Sequence, residues 1–266
     1  MGVGQDPGAS LDQRTQLVRQ LSGLIGVSET DSGNGSLTIT TSNGTALVVA
    51  GHSFALTTQI NSNTTYHNVF SQGTDITSSI NGGALGGQIQ VRDQEIPTIV
   101  SKLDAFAYNL ATSVNTQSKA GFDANGNPGV NFFVQPASVT SAASSIAVAI
   151  TDPKLVAASS DGSVGSNGNV QALANLQDQS IVNGQTPANY YSGLIFKIGT
   201  DVSQAQSEQT AVGLVQQQLQ DQRGAISGVS LDEEAVNLIR FQSAYQASAH
   251  VVNVINALLT TTLNMV

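Results

Sequence analysis

SLDEEAVNLIRFQSAYQASAHVVNVINALLTTTLNMV, running from Ser230 to Val266, is the stretch on which the reading of this chain turns. Ser230 stands three residues before Glu233, the spacing of a capping box: the hydroxyl takes a free amide of the first turn and the carboxylate reaches back. Asp232, Glu233 and Glu234 fill that turn, where negative charge meets the positive end of the helix dipole. Neither Gly nor Pro follows. Residues then recur at alternating intervals of four and three: Leu231, Ala235, Leu238, Gln242, Tyr245, Ala249, Val252, Asn256, Leu259 and Leu263. This is the period of a coiled-coil seam. Gln242 and Asn256 are amides in that seam. Buried, they fix register and partner number; exposed, they mark breaks in it.

The same stretch carries no Asp, Glu, Lys or Arg from Phe241 to Val266. A helix lying on a soluble domain keeps a charged outer face. On a helical wheel Ala249, Val252, Leu259 and Leu263 line one side, while Val251, Val254, Ile255 and Leu258 line much of the other. The last turns therefore call for enclosure on more than one side, between neighbouring subunits. The candidate subunit-interface residues are the ten seam residues with Ile255 and Leu258.

Composition agrees with a packing role. Apolar residues make up 40% of the 266, enough for a core, and the length allows one large domain or two ordinary ones. Only 10% are charged, against about 25% in a typical soluble domain. A net charge of -9 without any Lys/Arg cluster argues against nucleic-acid binding. The lack of cysteine removes disulfides, Cys-ligated zinc and Cys nucleophiles. Met1 to Ser10 has no apolar run of the signal-peptide kind. No apolar run reaches the roughly 18 residues of a membrane span. Val251 to Val266 comes nearest, and its asparagines and threonines make it a poor one.

Outward from the final helix, the pattern predicts an α+β chain with two regions. Residues 1–166 read as an outer mixed domain. It has a helix from Ser10, the expected cap, to Gly26; a β-rich part at 31–80; a helix at 88–119; and short strands within 130–158. Residues 167–266 read as a helical axial region with helices at about 170–181, 187–227 and 230–266. In the β-rich part, Asn43-Gly44 between two alternating runs predicts a hairpin with a type I′ turn, which needs positive φ twice. Phe54–Ile60, Tyr66–Phe70 and Asp75–Ile80 are further strand candidates. The segment 81–87, Asn-Gly-Gly-Ala-Leu-Gly-Gly, reads as a flexible or tightly packed joint. The 88–119 helix carries one broad apolar face from Ile89 to Val114, with Pro97 kinking or restarting it. Ile146–Ile150 suits a buried strand, and the Gly/Ser-rich Ser159–Asn169 is the expected domain boundary. Thr186-Pro187 gives a cap with proline at the first helical position. The last two helices either fold back on each other or run on as one kinked rod.

No constellation amounts to an active site. Asp123, Asn125 and Asn127 have the oxygen spacing that opens an EF-hand loop, but Pro128 stands at its sixth position and Val134 at its twelfth, so a plain Asx-rich turn is favoured. Gly82–Gly87 fits neither phosphate-loop pattern. His52, His67 and His250 lie far apart in sequence without a second ligand at helical spacing. His250 reads as a polar contact within an assembly. Arg92-Asp93 and Glu95 read as a solvated face or an intramolecular ion pair. No catalytic, cofactor-binding or metal residue is assigned, and the chain is expected not to be an enzyme.

Several blocks resemble a known family. Ser227-Gly-Val-Ser-Leu-Asp-Glu-Glu through Arg240-Phe-Gln-Ser-Ala-Tyr245, with Leu263-Asn264, is similar to the C-terminal signature of bacterial flagellar axial proteins, nearest the hook-associated kind. Leu11-Asp-Gln-Arg, Gly82-Gly-Ala-Leu-Gly-Gly before Arg92-Asp93, and Gly121-Phe-Asp ahead of Phe132-Phe133 agree in order, as does Tyr191 to Gln206. The resemblance implies a secreted, extracellular structural subunit of the hook–filament junction without catalysis. It implies a ring of about eleven copies, contacts with hook protein and the second hook-associated protein, and dealings with an export chaperone and the type III export apparatus. It implies no cofactor, nucleic acid or membrane. The family has a long helical region before the Leu11 segment, and this chain is expected to lack it. Alternative readings are another axial protein, such as the second hook-associated protein or flagellin, and a secreted adhesin or carbohydrate-binding module. The last would need an exposed aromatic strip, and the chain has no Trp.

Overall fold

The computed structural model describes residues 7–31, 33, 36–227 and 231–263; for Pro7, Ser227, Leu231, Leu259 and residues 261–263 it describes the backbone alone. The chain is α+β, with long helices and two small antiparallel sheets. It forms two compact units, Met1–Ile195 and Phe196–Val266. Ser159–Asn169, expected as a boundary, lies inside the first unit.

Helix α1 spans Pro7–Leu24. It starts before the expected Ser10 cap, because proline's fixed φ and missing N–H suit the first helical position. Past its end, Gly26 meets Gly82: a Cβ on Gly26 would lie 2.7 Å from the Gly82 Cα. Gly83 has φ +67°, and a Cβ there would lie 2.5 Å from the Ile25 nitrogen. The glycine-dense joint is therefore a close contact of two backbone segments. It opens helix α2, Gly83–Gln90, which starts earlier than the expected residue 88.

Between these crossings lie the sheets. Strands β1 (Val27–Asp31), β2 (Leu37–Thr41), β3 (Ala46–Val49) and β4 (His52–Ser53) form one in sequence order; β5 (Leu56–Ile60), β6 (His67–Ser71) and β7 (Thr74–Asp75) form the other. The β2–β3 hairpin forms as expected, but its turn is not type I′. Only Gly44 has positive φ, +86°. Thr41 N donates to Thr45 O and Gly44 N to Thr41 O, both 2.8 Å, so Ser42-Asn43-Gly44 makes a three-residue loop with one left-handed residue. Asp75–Ile80 is not a strand beyond Asp75. Thr77 donates from N (2.9 Å) and Oγ1 (2.7 Å) to Asp75 Oδ1, which winds Thr77–Ser79 into a 3-10 turn. Ile25, Ile39, Leu47, Val69, Ile76, Ile80 and Ile89 form one core, with Val18 and Leu21 of α1 packed on it.

A π-helical turn, Val91–Glu95, follows α2 and leads into α3, Ile96–Lys119. Pro97 offers no N–H to the carbonyl one turn earlier, and the backbone widens just before it. The buried stripe of α3 meets its expected apolar face only at Ala107, while Ile99, Leu103, Phe106, Leu110 and Val114 of that face are half-buried. Asp104, Ala107, Ala111, Asn115 and Ser118 are buried, while Ile96 and Val100 are each 48% exposed.

That stripe reads the backbone of the irregular segment after it. Asp104 accepts the N–H groups of Ser141 (2.8 Å) and Ala143 (2.9 Å), capping the short helix α4, Ala142–Ser145. Ser118 Oγ donates to Val130 O at 2.7 Å. Gln117 Nε2 donates to Asn169 Oδ1 (2.7 Å), and Asn169 Nδ2 to Ala157 O (2.6 Å). Among the described residues, 130–158 holds one isolated bridge rather than the expected strands. Ile146–Ile150 makes one bridge, Phe133 to Val148, and Val148 is 58% exposed. A single neighbour on one side gives no sheet for it to be buried in. Helix α5, Gly168–Asn175, passes into a 3-10 turn at Leu176–Asp178, short of the expected residue 181.

Candidate subunit interface

Helix α6 (Pro187–Ser227) begins as its Thr-Pro pair implies, with Asn189 N donating to Thr186 Oγ1 at 3.3 Å. Its first turns are fixed by aromatic contacts within the first unit. Phe106 stacks on Tyr190 with centroids 6.1 Å apart and meets Tyr191 at 6.4 Å. Tyr190 Oη donates to Lys102 O at 3.2 Å, and Leu194 is buried.

Beyond Ile195 the apolar side chains of α6 have no such cover. Val212, Leu214, Val215, Leu219 and Ile226 are all exposed. Polar groups here pair within the helix at i, i+4: Lys197 with Asp201 (2.7 Å), Gln204 with Glu208 (2.7 Å) and Gln217 with Asp221 (2.9 Å).

Helix α7 spans Leu231–Leu263. The expected cap Ser230 lies outside the described residues, as do the side chains of Leu231, Leu259 and Leu263. Of the remaining candidates, Ala235, Leu238, Gln242, Tyr245, Ala249, Val252, Ile255, Asn256 and Leu258 are all exposed. Tyr245 is 78% exposed and Phe241 73%, values at which a large apolar side chain gains nothing from the fold that carries it. The hydroxyls of Ser248 and Thr260 donate back to Ala244 O (2.9 Å) and Asn256 O (2.8 Å). These groups are satisfied inside the helix and tolerate a dry neighbour. Val251, Val254, Ile255 and Leu258 present a second exposed apolar side beside the seam.

The residues weighed for chemistry are occupied with structure. Asp123 Oδ1 accepts the N–H groups of Asn125 and Asn127, both at 2.8 Å, which is an Asx turn. Hydrogen bonding, first from the Asn127 amide, holds the Asp123 carboxyl below the usual carboxylate range. Arg92 grips Asp93 with two bonds (2.6 and 2.8 Å), donates from Nη1 to His67 O at 2.7 Å, and lies 5.4 Å from the Tyr66 ring centroid. The pair is intramolecular and joins the π turn to β6. His52, His67 and His250 sit on three different elements, β4, β6 and α7. Sequence reasoning missed the polar stripe on α3. Its signal was present in the spacing of Asp104, Ala107, Ala111, Asn115 and Ser118, which share one helix face.

The fold combines long helices with two small antiparallel sheets. The model for the flagellar hook-associated protein FlgK helical domain matches residues 2–133, and that for the flagellar basal body rod FlgEFG protein C-terminal region matches residues 222–265. Flagellar hook-associated protein 1 of Escherichia coli K12 is 29% identical over 358 residues, covering 100% of this chain and 65% of that protein. The Salmonella typhimurium protein of the same name is 26% identical, with coverage of 100% and 66%. The Bacillus subtilis one is 33% identical over 63% of this chain and 35% of its own length. A solved structure, the flagellar hook junction protein FlgK from Burkholderia pseudomallei, aligns with a TM-score of 0.43 and 34% identity over 48% of this chain and 25% of that one. The chain belongs to the flagellar hook-associated protein family. It spans 65% and 66% of the first two relatives' lengths.

Proposed function

We propose that this chain is a structural subunit of the bacterial flagellum at the junction of hook and filament, and that α7 with the distal part of α6 is its assembly surface. The observation that carries the reading is α7 itself: a helix without charged residues after Arg240 whose apolar side chains are exposed on two sides. Burying those side chains between neighbours removes an apolar surface that the isolated chain leaves in water. In this reading copies form a ring of about eleven, between hook protein on one side and the second hook-associated protein on the other. They reach that place through the type III export apparatus, attended by a chaperone, and function outside the cell. Catalysis and cofactors have no part in it. The helical region is axial and the β-bearing region faces outward.

The test is incorporation. Leu238→Asp with Ile255→Asp, carried in the chromosomal gene of the source bacterium, is expected to abolish motility and leave hooks without filaments. Normal swimming by that double variant overturns the assignment of α7.

A further inference from the structure

The two sheets have four edge strands, and they are not alike. An edge strand offers unpaired backbone groups to any passing strand, and native proteins blunt it by shortness, charge or cover. β4 and β7 are two residues long. β1 carries Glu29 and Asp31. β5, Leu56-Thr-Thr-Gln-Ile60, has none of these protections. It is five residues long and uncharged, and every residue in it is exposed. Among the described residues β5 pairs only with β6.

Its side chains are also left uncovered. In the β5–β6 register Leu56 faces Ser71, Thr58 faces Val69 and Ile60 faces His67, so these three share one sheet face. Val69 is 8% exposed on that face, whereas Leu56 is 39% and Ile60 65% exposed. The apolar ends of β5 thus lie open beside a buried neighbour.

We propose that β5 is a self-pairing edge. It docks antiparallel on β5 of a second copy of this chain, centred on Thr58, and joins two three-stranded sheets into one of six strands. The occupant follows from the sequence of the strand. Reversed against itself about Thr58, β5 sets Leu56 against Ile60, Thr57 against Gln59 and Thr58 against Thr58, so that apolar meets apolar and polar meets polar. The chain carries a net charge of -9, and at this edge it brings no carboxylate to the contact. A twofold contact closes at two copies. It is therefore separate from the assembly surface on α7 and goes beyond the junction role.

The full-length chain is to be tested in solution by sedimentation. Wild type is expected to dimerise. Thr58→Lys and Thr58→Glu are each expected to lose that dimer, since each sets like charges opposite one another, and an equal mixture of the two is expected to restore it. A monomeric wild type, a dimer that persists in Thr58→Lys, or a mixture that stays monomeric overturns the proposal. The absence of native cysteine gives a second readout that survives misfolding of the charged variants or association through α7. Thr58→Cys is expected to oxidise to a disulfide-linked dimer, because cross-strand Cα atoms lie within bonding reach. Thr57→Cys, which faces Gln59, is not. Equal cross-linking of the two cysteine variants, or none by Thr58→Cys, also overturns it.

Discussion

Asn115 holds Phe133 by both backbone groups, its Oδ1 accepting the N–H at 2.8 Å and its Nδ2 donating to the carbonyl at 3.0 Å. A helix side chain here does the work of a neighbouring strand. Because Asn115 is 2% exposed, water does not replace it freely. Asn115→Ala is expected to destabilise the first unit by about 1–3 kcal/mol, the cost of leaving backbone groups unpaired. Urea unfolding measures the loss. Faster amide exchange at Phe133, ahead of exchange in β2 and β3, locates it.

Asp104 performs the same service for Ser141 and Ala143. Ser141 sits in the left-handed region, φ +62°, and the carboxylate holds it there by its amide. Asp104→Ala is expected to cost about 1–2 kcal/mol as a lost cap, and Asp104→Asn, which keeps one acceptor oxygen but turns an NH2 toward the second N–H, a comparable amount. An Asp104→Asn variant as stable as the wild type would show that the second accepting oxygen contributes nothing.

Among the described residues, four carboxyls have folded-state pKa values lowered from the ordinary 3.8: Asp75, hydrogen-bonded by the Thr77 side chain; Asp93, paired with Arg92; Asp123; and Asp161, hydrogen-bonded by the Ser163 amide. A carboxyl whose folded pKa is depressed contributes stability that is present above its unfolded pKa and lost as pH falls through the folded one. These four therefore leave stability flat from about pH 5 to 8 and withdraw it below the ordinary carboxylate value. Asp123→Asn, which preserves the Asx turn, is expected to shallow the acid limb of a stability-against-pH curve. An unchanged limb would remove Asp123 from the account.

Gly26 and Gly83 leave no room for a side chain. A Cβ at Gly83 would lie 2.5 Å from the Ile25 nitrogen, and its φ is one that side chains rarely adopt. Gly83→Ala is expected to destabilise by more than about 1 kcal/mol, where alanine in a compatible site would stabilise. Gly87, with nothing within 4 Å, is the control: Gly87→Ala within α2 is expected to be neutral or stabilising. Thermal melts of the two variants settle the comparison.

Removing residues 251–266 is expected to leave the melting of the first unit unchanged, because that unit, Met1–Ile195, is compact without them. Assembly is expected to fail. Loss of the first unit's transition on this deletion counts against α7 as an assembly surface.

The sequence was most readable where local chemistry decides. Asn43-Gly44 marked the β2–β3 hairpin, and Thr186-Pro187 marked the start of α6, because turn and cap residues act over a few positions. It was least readable where partners are distant. The apolar periodicity of α3 pointed to Ile96 and Val100, yet the helix buries Asp104, Asn115 and Ser118, whose hydrogen bonds reach up to 39 residues along the chain. Apolar counting places such residues outside. Ile146–Ile150 has a strand's composition but not a sheet to join. The candidate interface was legible only as a heptad pattern, and its side chains that the structure describes are exposed in the single chain.

The backbones of Gly26 and Gly82 touch at the two ends of the β-bearing segment, so the chain departs from its helical frame and rejoins it at one point. What is strung between them packs back on that frame, Ile39, Leu47 and Val69 sharing one core with Ile25 and Ile89. A strand added, lost or exchanged in that loop of chain therefore acts on the core that α1 and α2 share, unless it leaves Ile39, Leu47 and Val69 in place. The glycine contact thus sets where the β-bearing segment starts and stops, and the shared core sets what it must carry.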